Sequence, residues 1–147
     1  MNFTRNLLIA SALLAKLEAA TGPSRELDAA IAVAIFKAAP GIDLRAEAAE
    51  EDCEAGTYWL VGPSWRSLIT SQRYSESLDA AMTLAAPPGH PMWTWRVEAR
   101  IHGTNPLHHS YEAEITVPSH EYGGFAPTPA LALCIAAVRA RLAGQKE

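Results

Sequence analysis

The sequence predicts one α+β domain in which helices precede and follow a small antiparallel sheet. Three observations predict it. A helical pattern opens the chain, two runs with strict two-residue alternation sit in its second half, and a well-signalled helix closes it. The 147 residues suit a single domain. A chain of that size buries roughly 68–70% of its unfolded surface and needs no covalent staples. Hydrophobic residues make up 49% and charged residues 19%, which argues against wholesale disorder. The formal charge of −4 gives no global attraction to anionic surfaces, so neither a nucleic-acid polymer nor a membrane is expected as partner.

The first helical block covers about residues 4–38 and breaks at "TGPS". Leu7, Leu14 and Leu17, with Ala10 between them, fall on one stripe. Gly22 suits a helix stop and Ser24 a new N-cap, with Glu26 in the following first turn. The second helix carries Leu27, Ile31 and Ile35 on one face, widened by Val33 and Phe36. So short a turn makes a helical hairpin or a bent pair. Arg5 followed by an apolar run over residues 7–15 mimics a signal peptide, but Lys16 and Glu18 stand where a cleavage region prefers small neutral residues. The segment reads as a helix, no run is long enough to span a bilayer, and the expected location is cytoplasmic.

Residues 40–56 include "EAAEEDCEAG", with four glutamates and one aspartate, and read as a solvated loop or exposed helical turn. A hard-cation loop needs regularly spaced oxygen ligands around a glycine turn, and that spacing is absent. Cys53 lies among these acids, which should raise its pKa, whereas Cys134 lies in an apolar helical pattern. The pair reads as reduced thiols.

The strands follow. "TYWLV" (57–61) is rich in strand formers, and "SLITSQRY" supplies a further extended segment. The next stretch, "RYSESLDAAMTLA", reads as a helix with Ser75 as N-cap, Glu76 and Asp79 early, and Leu78, Met82 and Leu84 turned inward. Tyr74 would staple its start. In "WTWRVEARI", Trp93, Trp95, Val97, Ala99 and Ile101 share one face and Thr94, Arg96, Glu98 and Arg100 the other. In "LHHSYEAEITV", Leu107, His109, Tyr111, Ala113, Ile115 and Val117 oppose His108, Ser110, Glu112, Glu114 and Thr116. "HGTNP" between them signals a turn, so the two form an antiparallel hairpin; centred on Thr104, it sets Arg96 opposite Glu112. In "APTPALALCIAAVRARLAG", Thr128 is the N-cap, Pro129 takes the first helical position, and Leu131, Ile135, Val138 and Leu142 recur on one stripe beside Cys134. Arg139 and Arg141 sit near its negative end and Gly144 stops it.

Three fragments, "LLAKLEAATGPSRELDAAIA", "YSESLDAAMTL" and "TPALALCIAAVRARL", together resemble the phage ABA sandwich domain, an uncharacterised family of small phage and prophage proteins. The resemblance implies an α–β–α sandwich, a viral or prophage origin and, with it, the cytoplasm of a bacterial host. It carries over no catalytic residue, because the shared motif residues read as structural. The chain departs from the pattern after Phe36, where a tryptophan-containing segment is expected, and in its proline-rich 86–92 loop.

No familiar catalytic or metal-binding spacing is present, and no catalytic residue, metal ligand or cofactor is assigned. Adjacent His108 and His109 point to opposite faces of a strand; His102, His108 and Glu112 are the only gathering that suggests a metal, against a reading of all five histidines, His90 and His120 included, as surface groups. Ligand-binding candidates are better defined. Trp65, Arg66, Arg73 and Tyr74 are the groups needed to stack a base and hold a phosphate. Tyr122, Gly123 and Gly124 lie in "HEYGGFAPTP", read as a flexible loop whose Gly-Gly pair and following helix N-terminus would cradle an anion. The expectation is a non-enzymatic phage or prophage accessory protein, a counter-defence module that sequesters a small nucleotide-like signal or occupies a host protein. A small metal-dependent hydrolase and a structural, self-assembling protein are the alternatives. Sheet edges facing solvent favour a homo-oligomer.

Overall fold

The computed structural model describes residues 3–38, 45–86, 92–101 and 109–144. Within them the order is α1 (Phe3–Ala19), α2 (Arg25–Ala38), β1 (Arg45–Ala48), β2 (Thr57–Val61), β3 (Arg66–Thr70), α3 (Leu78–Ala85), β4 (Thr94–Ile101), β5 (His109–Val117), β6 (His120–Ala126) and α4 (Pro129–Gly144). The class is α+β, as the patterning predicts. The strands divide into two antiparallel sheets of three, ordered β1-β2-β3 and β4-β5-β6.

α4 is the hub. Thr128 Oγ1 accepts from the Leu131 N–H at 3.2 Å, the cap that the sequence predicts. Every residue from Ala130 to Val138 is buried, so the helix is covered all round and not along one stripe. It lies against β4, β5 and β6 on one side and meets α1 and α3 on others. Its many alanines let neighbouring backbones come close. At Gly124 of β6, an added Cβ would stand 2.5 Å from the Ala132 carbonyl oxygen and 2.9 Å from the Ala136 nitrogen. Strand backbone and helix backbone touch there, and only glycine fits.

A second joint ties the N-terminal helices to the chain before α3. Ser24 caps α2 by accepting from the Leu27 N–H at 3.3 Å. One turn on, Asp28 is 1% exposed. Its Oδ1 accepts from the Ser75 N–H at 2.8 Å and from the Ser75 hydroxyl at 2.7 Å, while Oδ2 takes Arg25 Nη1–H at 2.7 Å. The Ser24 N–H donates back to Ser75 Oγ at 2.9 Å. Arg25 continues outward, donating to the Ser71 carbonyl at 2.8 Å and the Gln72 carbonyl at 3.3 Å. Beneath it lies Gly56, with a φ of +88° and no room for a Cβ, which would come 2.6 Å from Arg25 Nε.

Five local expectations are corrected by this packing. Ser77, not Ser75, caps α3, accepting from the Ala80 N–H at 3.2 Å. Ser75 is drawn inward by Asp28, so Tyr74 precedes the cap by three residues and packs in the core instead of stapling the helix. Residues 45–48, expected within a solvated loop or exposed helical turn, form β1, paired with β2 and with Ala46 alone turned inward. Residues 120–126, read as a flexible loop, form β6, paired with β5 along its length. The β4–β5 register also differs: Arg96 stands opposite Glu114, and Glu98 opposite Glu112. A shift of two keeps every side chain on its predicted face, so alternation cannot detect it. The turn thought to centre on Thr104 lies outside the described residues.

Replacing Asp28 by Ala should cost about 3 kcal/mol, since it strands the buried Ser75 N–H and takes the carboxylate from the part-buried Arg25 guanidinium. Asp28→Asn, which keeps an acceptor for Ser75, should cost about 1 kcal/mol. Urea unfolding measures both, and equal losses would show that charge, not the Ser75 hydrogen bonds, holds the joint. In the same assay Gly124→Ala should cost about 1–3 kcal/mol through forced displacement of α4. Gly123→Ala should be near neutral, its nearest neighbour being the Ala113 carbonyl at 3.7 Å.

Candidate functional site

The residues nominated from the sequence do not converge. β3 starts at Arg66 and ends at Thr70, so Trp65 and Arg66 stand at one end of it and Arg73 and Tyr74 beyond the other. Trp65 is 45% exposed in the turn between β2 and β3, its indole lying over Gly62. Arg73 is exposed and pairs with Glu76 at 3.2 Å. Tyr74 is buried; its carbonyl accepts from the Cys134 thiol at 3.2 Å, and desolvation raises its phenol pKa. Tyr122 is half-buried on the core face of β6 beside His120, with ring centroids 6.2 Å apart. The Gly123 carbonyl accepts from Arg139 at 2.5 Å. Gly124 is closed off by α4 and serves as a packing contact, whereas Gly123 is exposed and offers a carbonyl that Arg139 already occupies.

What the fold does bring together is a groove. α1, α2 and the chain from Ala48 to Thr57 enclose an open space of about 650 Å³. Its floor is apolar, with Leu13, Ala30 and Val33. Its rim carries the exposed carboxylates Glu26, Glu51 and Glu54, against the single ammonium of Lys16. Among the described residues none of these three carboxylates is engaged in an ion pair with another side chain.

Glu50, on the same loop, is engaged. Its Oε2 accepts from Trp59 Nε1–H at 2.7 Å and from the Cys53 thiol at 3.5 Å, and Arg66 Nη2 stands 3.6 Å from Oε1. The Trp59 hydrogen bond is the main reason its pKa falls to about 2. The Arg66 guanidinium lies 4.0 Å from the centroid of the Trp59 ring, a cation–π contact. Arg66 is thus already stacked and paired. Trp59, absent from the residues expected at the site, is the partner that the strand register supplies. The four-residue "GPSW" link pairs Val61 with Arg66, which sets Arg66 diagonal to Trp59 on one face.

Metal and nucleophile chemistry find little here. The ligand atoms of Glu50, Asp52 and Cys53 lie within 4.8 Å of one another on the exposed loop. Glu50 is already committed to Trp59, and Cys53 keeps its proton: desolvation first, then the Glu50 hydrogen bond, raise its pKa. Cys134 is fully buried and pushed up to about 12, mainly by desolvation. His90, His102 and His108 lie outside the described residues, and Glu112 is paired with Arg100 across β4 and β5. Among the described residues no helix is long and apolar enough to cross a membrane. Comparison with family models, with curated proteins and with solved structures finds no match to this chain. Its function must therefore be read from the geometry.

Iodoacetamide at neutral pH should alkylate Cys53 slowly and Cys134 only after denaturation. Glu50→Gln removes the negative charge beside Cys53 and should lower the thiol pKa and speed its labelling. Mass spectrometry of the peptides reads both, and fast labelling of Cys134 in the folded chain would refute the buried placement.

Proposed function

We propose that this chain is a phage or prophage accessory protein that acts by binding, with the groove between α1, α2 and the 48–57 segment as its ligand surface. The observation that carries the reading is the apolar floor of that groove within a rim where Glu26, Glu51 and Glu54 have no ion-pair partner among the described residues. Apolar concavities with a few oriented polar groups are the usual form of a binding site. The sign of the rim selects among ligands. A nucleotide-like signal is anionic and would meet Glu26, Glu51 and Glu54 with only Lys16 in its favour. A basic, amphipathic stretch of a host protein has the complementary character, its apolar side chains entering the groove and its cations meeting the rim. Occupying a host protein, the second of the two roles expected for a counter-defence module, is the form this geometry supports.

A fluorescent amphipathic peptide of lysine and leucine tests it by anisotropy. Binding should be saturable at low ionic strength and weaken with salt, as exposed charge pairs do. Combined Glu26→Lys, Glu51→Lys and Glu54→Lys should weaken it at least tenfold while leaving the melting temperature close to that of the parent. A parallel thermal-shift screen with linear and cyclic nucleotides should give no shift. A nucleotide shift lost on Arg66→Ala or Arg73→Ala, with no peptide binding, would overturn the assignment in favour of the small-ligand role.

A further inference from the structure

β4 is an edge strand eight residues long, and among the described residues β5 is its only strand partner. The opposite edge of the same sheet is β6, where Arg139 from α4 already takes the Gly123 carbonyl. An open edge of this length is a template for pairing with another chain. Its own sequence specifies which chain. The solvent face reads Thr94, Arg96, Glu98, Arg100, and the core face reads Trp95, Val97, Ala99.

We infer that β4 docks the β4 of a second copy, antiparallel and centred on Val97, to make one continuous six-stranded sheet. Pairing two identical antiparallel strands joins residue i to residue 2c−i, where c is the central position. Like faces meet only when c is a whole residue. The two registers of greatest overlap within Thr94–Ile101 are centred on Val97 and on Glu98. Centring on Glu98 sets Glu98 against its own copy and Arg96 against Arg100, all like charges. Centring on Val97 sets Arg96 against Glu98 of the second copy, twice by symmetry. It also places Trp95, half-buried, beside the exposed Ala99 of the copy, a large side chain beside a small one. The charge pattern thus selects one register.

The side chains can serve this edge by exchanging partners. Arg96 pairs with Glu98 at 2.5 Å and with Glu114 at 3.1 Å, and Glu98 also lies 3.6 Å from Arg100 Nη2. All are surface groups whose pairs exchange at little cost. On β4 and β5 this face carries Arg96 and Arg100 against Glu98, Glu112 and Glu114, with Glu121 further away on β6, so charges of both signs are interspersed beside the edge. The pairing is independent of the groove between α1 and α2.

Sedimentation velocity over a range of concentrations tests the inference on the full chain. The wild type should pass reversibly from monomer to dimer. Arg96→Glu alone and Glu98→Arg alone should each weaken the dimer at least tenfold, because each sets like charges across the edge. An equimolar mixture of the two variants should dimerise again, since opposite charges then face one another in the mixed pair. Hydrogen exchange on the wild type needs no substitution: β4 amides should be protected at high concentration and lose protection on dilution. A monomer at every concentration, a dimer that either single change leaves intact, a mixture that fails to re-form it, or β4 amides indifferent to dilution would each overturn the inference.

Discussion

The buried carboxylate of Asp28 is the constraint on which the N-terminal half depends. A charge that is almost wholly out of water must be compensated, and here it is met by the Arg25 guanidinium and by both donors of Ser75. Because those donors come from different parts of the chain, compensating one charge fixes the position of α2 relative to the segment leading into α3. Arg25 then carries the restraint on to the Ser71 and Gln72 carbonyls, and Ser71 binds the Gly56 carbonyl through both its N–H and its hydroxyl. The end of β3, the turn before β2 and the first turn of α2 are one hydrogen-bonded unit. The groove lies along this unit, so its width is set by polar geometry as well as by apolar packing.

The C-terminal half is held differently. α4 has no buried charge and relies on close approach: alanines on the helix, a glycine on β6, and Leu131, Leu133 and Ile135 buried around its circumference. Apolar packing of this kind is non-directional and tolerates conservative exchange, except where backbones touch. Its polar accessories are at the margins, in the Arg141 side chain donating to the Leu84 carbonyl at 3.0 Å and in the ion pair of Arg139 with Glu18. The first ties α4 to the end of α3 and the second ties it to α1.

Charge is sorted over the surface by these two modes of construction. Arg25, Arg66, Arg96, Arg100, Arg139 and Arg141 all have carboxylate, carbonyl or aromatic partners, whereas Glu26, Glu51 and Glu54 stand without ion-pair partners among the described residues. The uncommitted charge of the described surface is therefore acidic around the groove. Arginines beside aromatics are the residue types suited to a nucleotide-like ligand. The fold had already used those groups, Arg66 on Trp59 and Arg73 on Glu76.

Local signals in the sequence determined the α+β class, both helical blocks, the caps at Ser24 and Thr128, and the faces of β4 and β5. Each of these rests on spacing within one element, where side-chain periodicity and backbone hydrogen bonding act over a few residues. Tertiary structure alone decided the rest. It divided the strands into two sheets, recruited residues 45–48 and the glycine-bearing 120–126 as strands by offering them partners, and set the β4–β5 register. It moved the cap of α3 from Ser75 to Ser77, with Asp28, 47 residues away, accepting from both donors of Ser75. It also decided which charges remain available to a ligand, since an ion pair depends on what the fold brings within reach and not on the residue's neighbours in the chain.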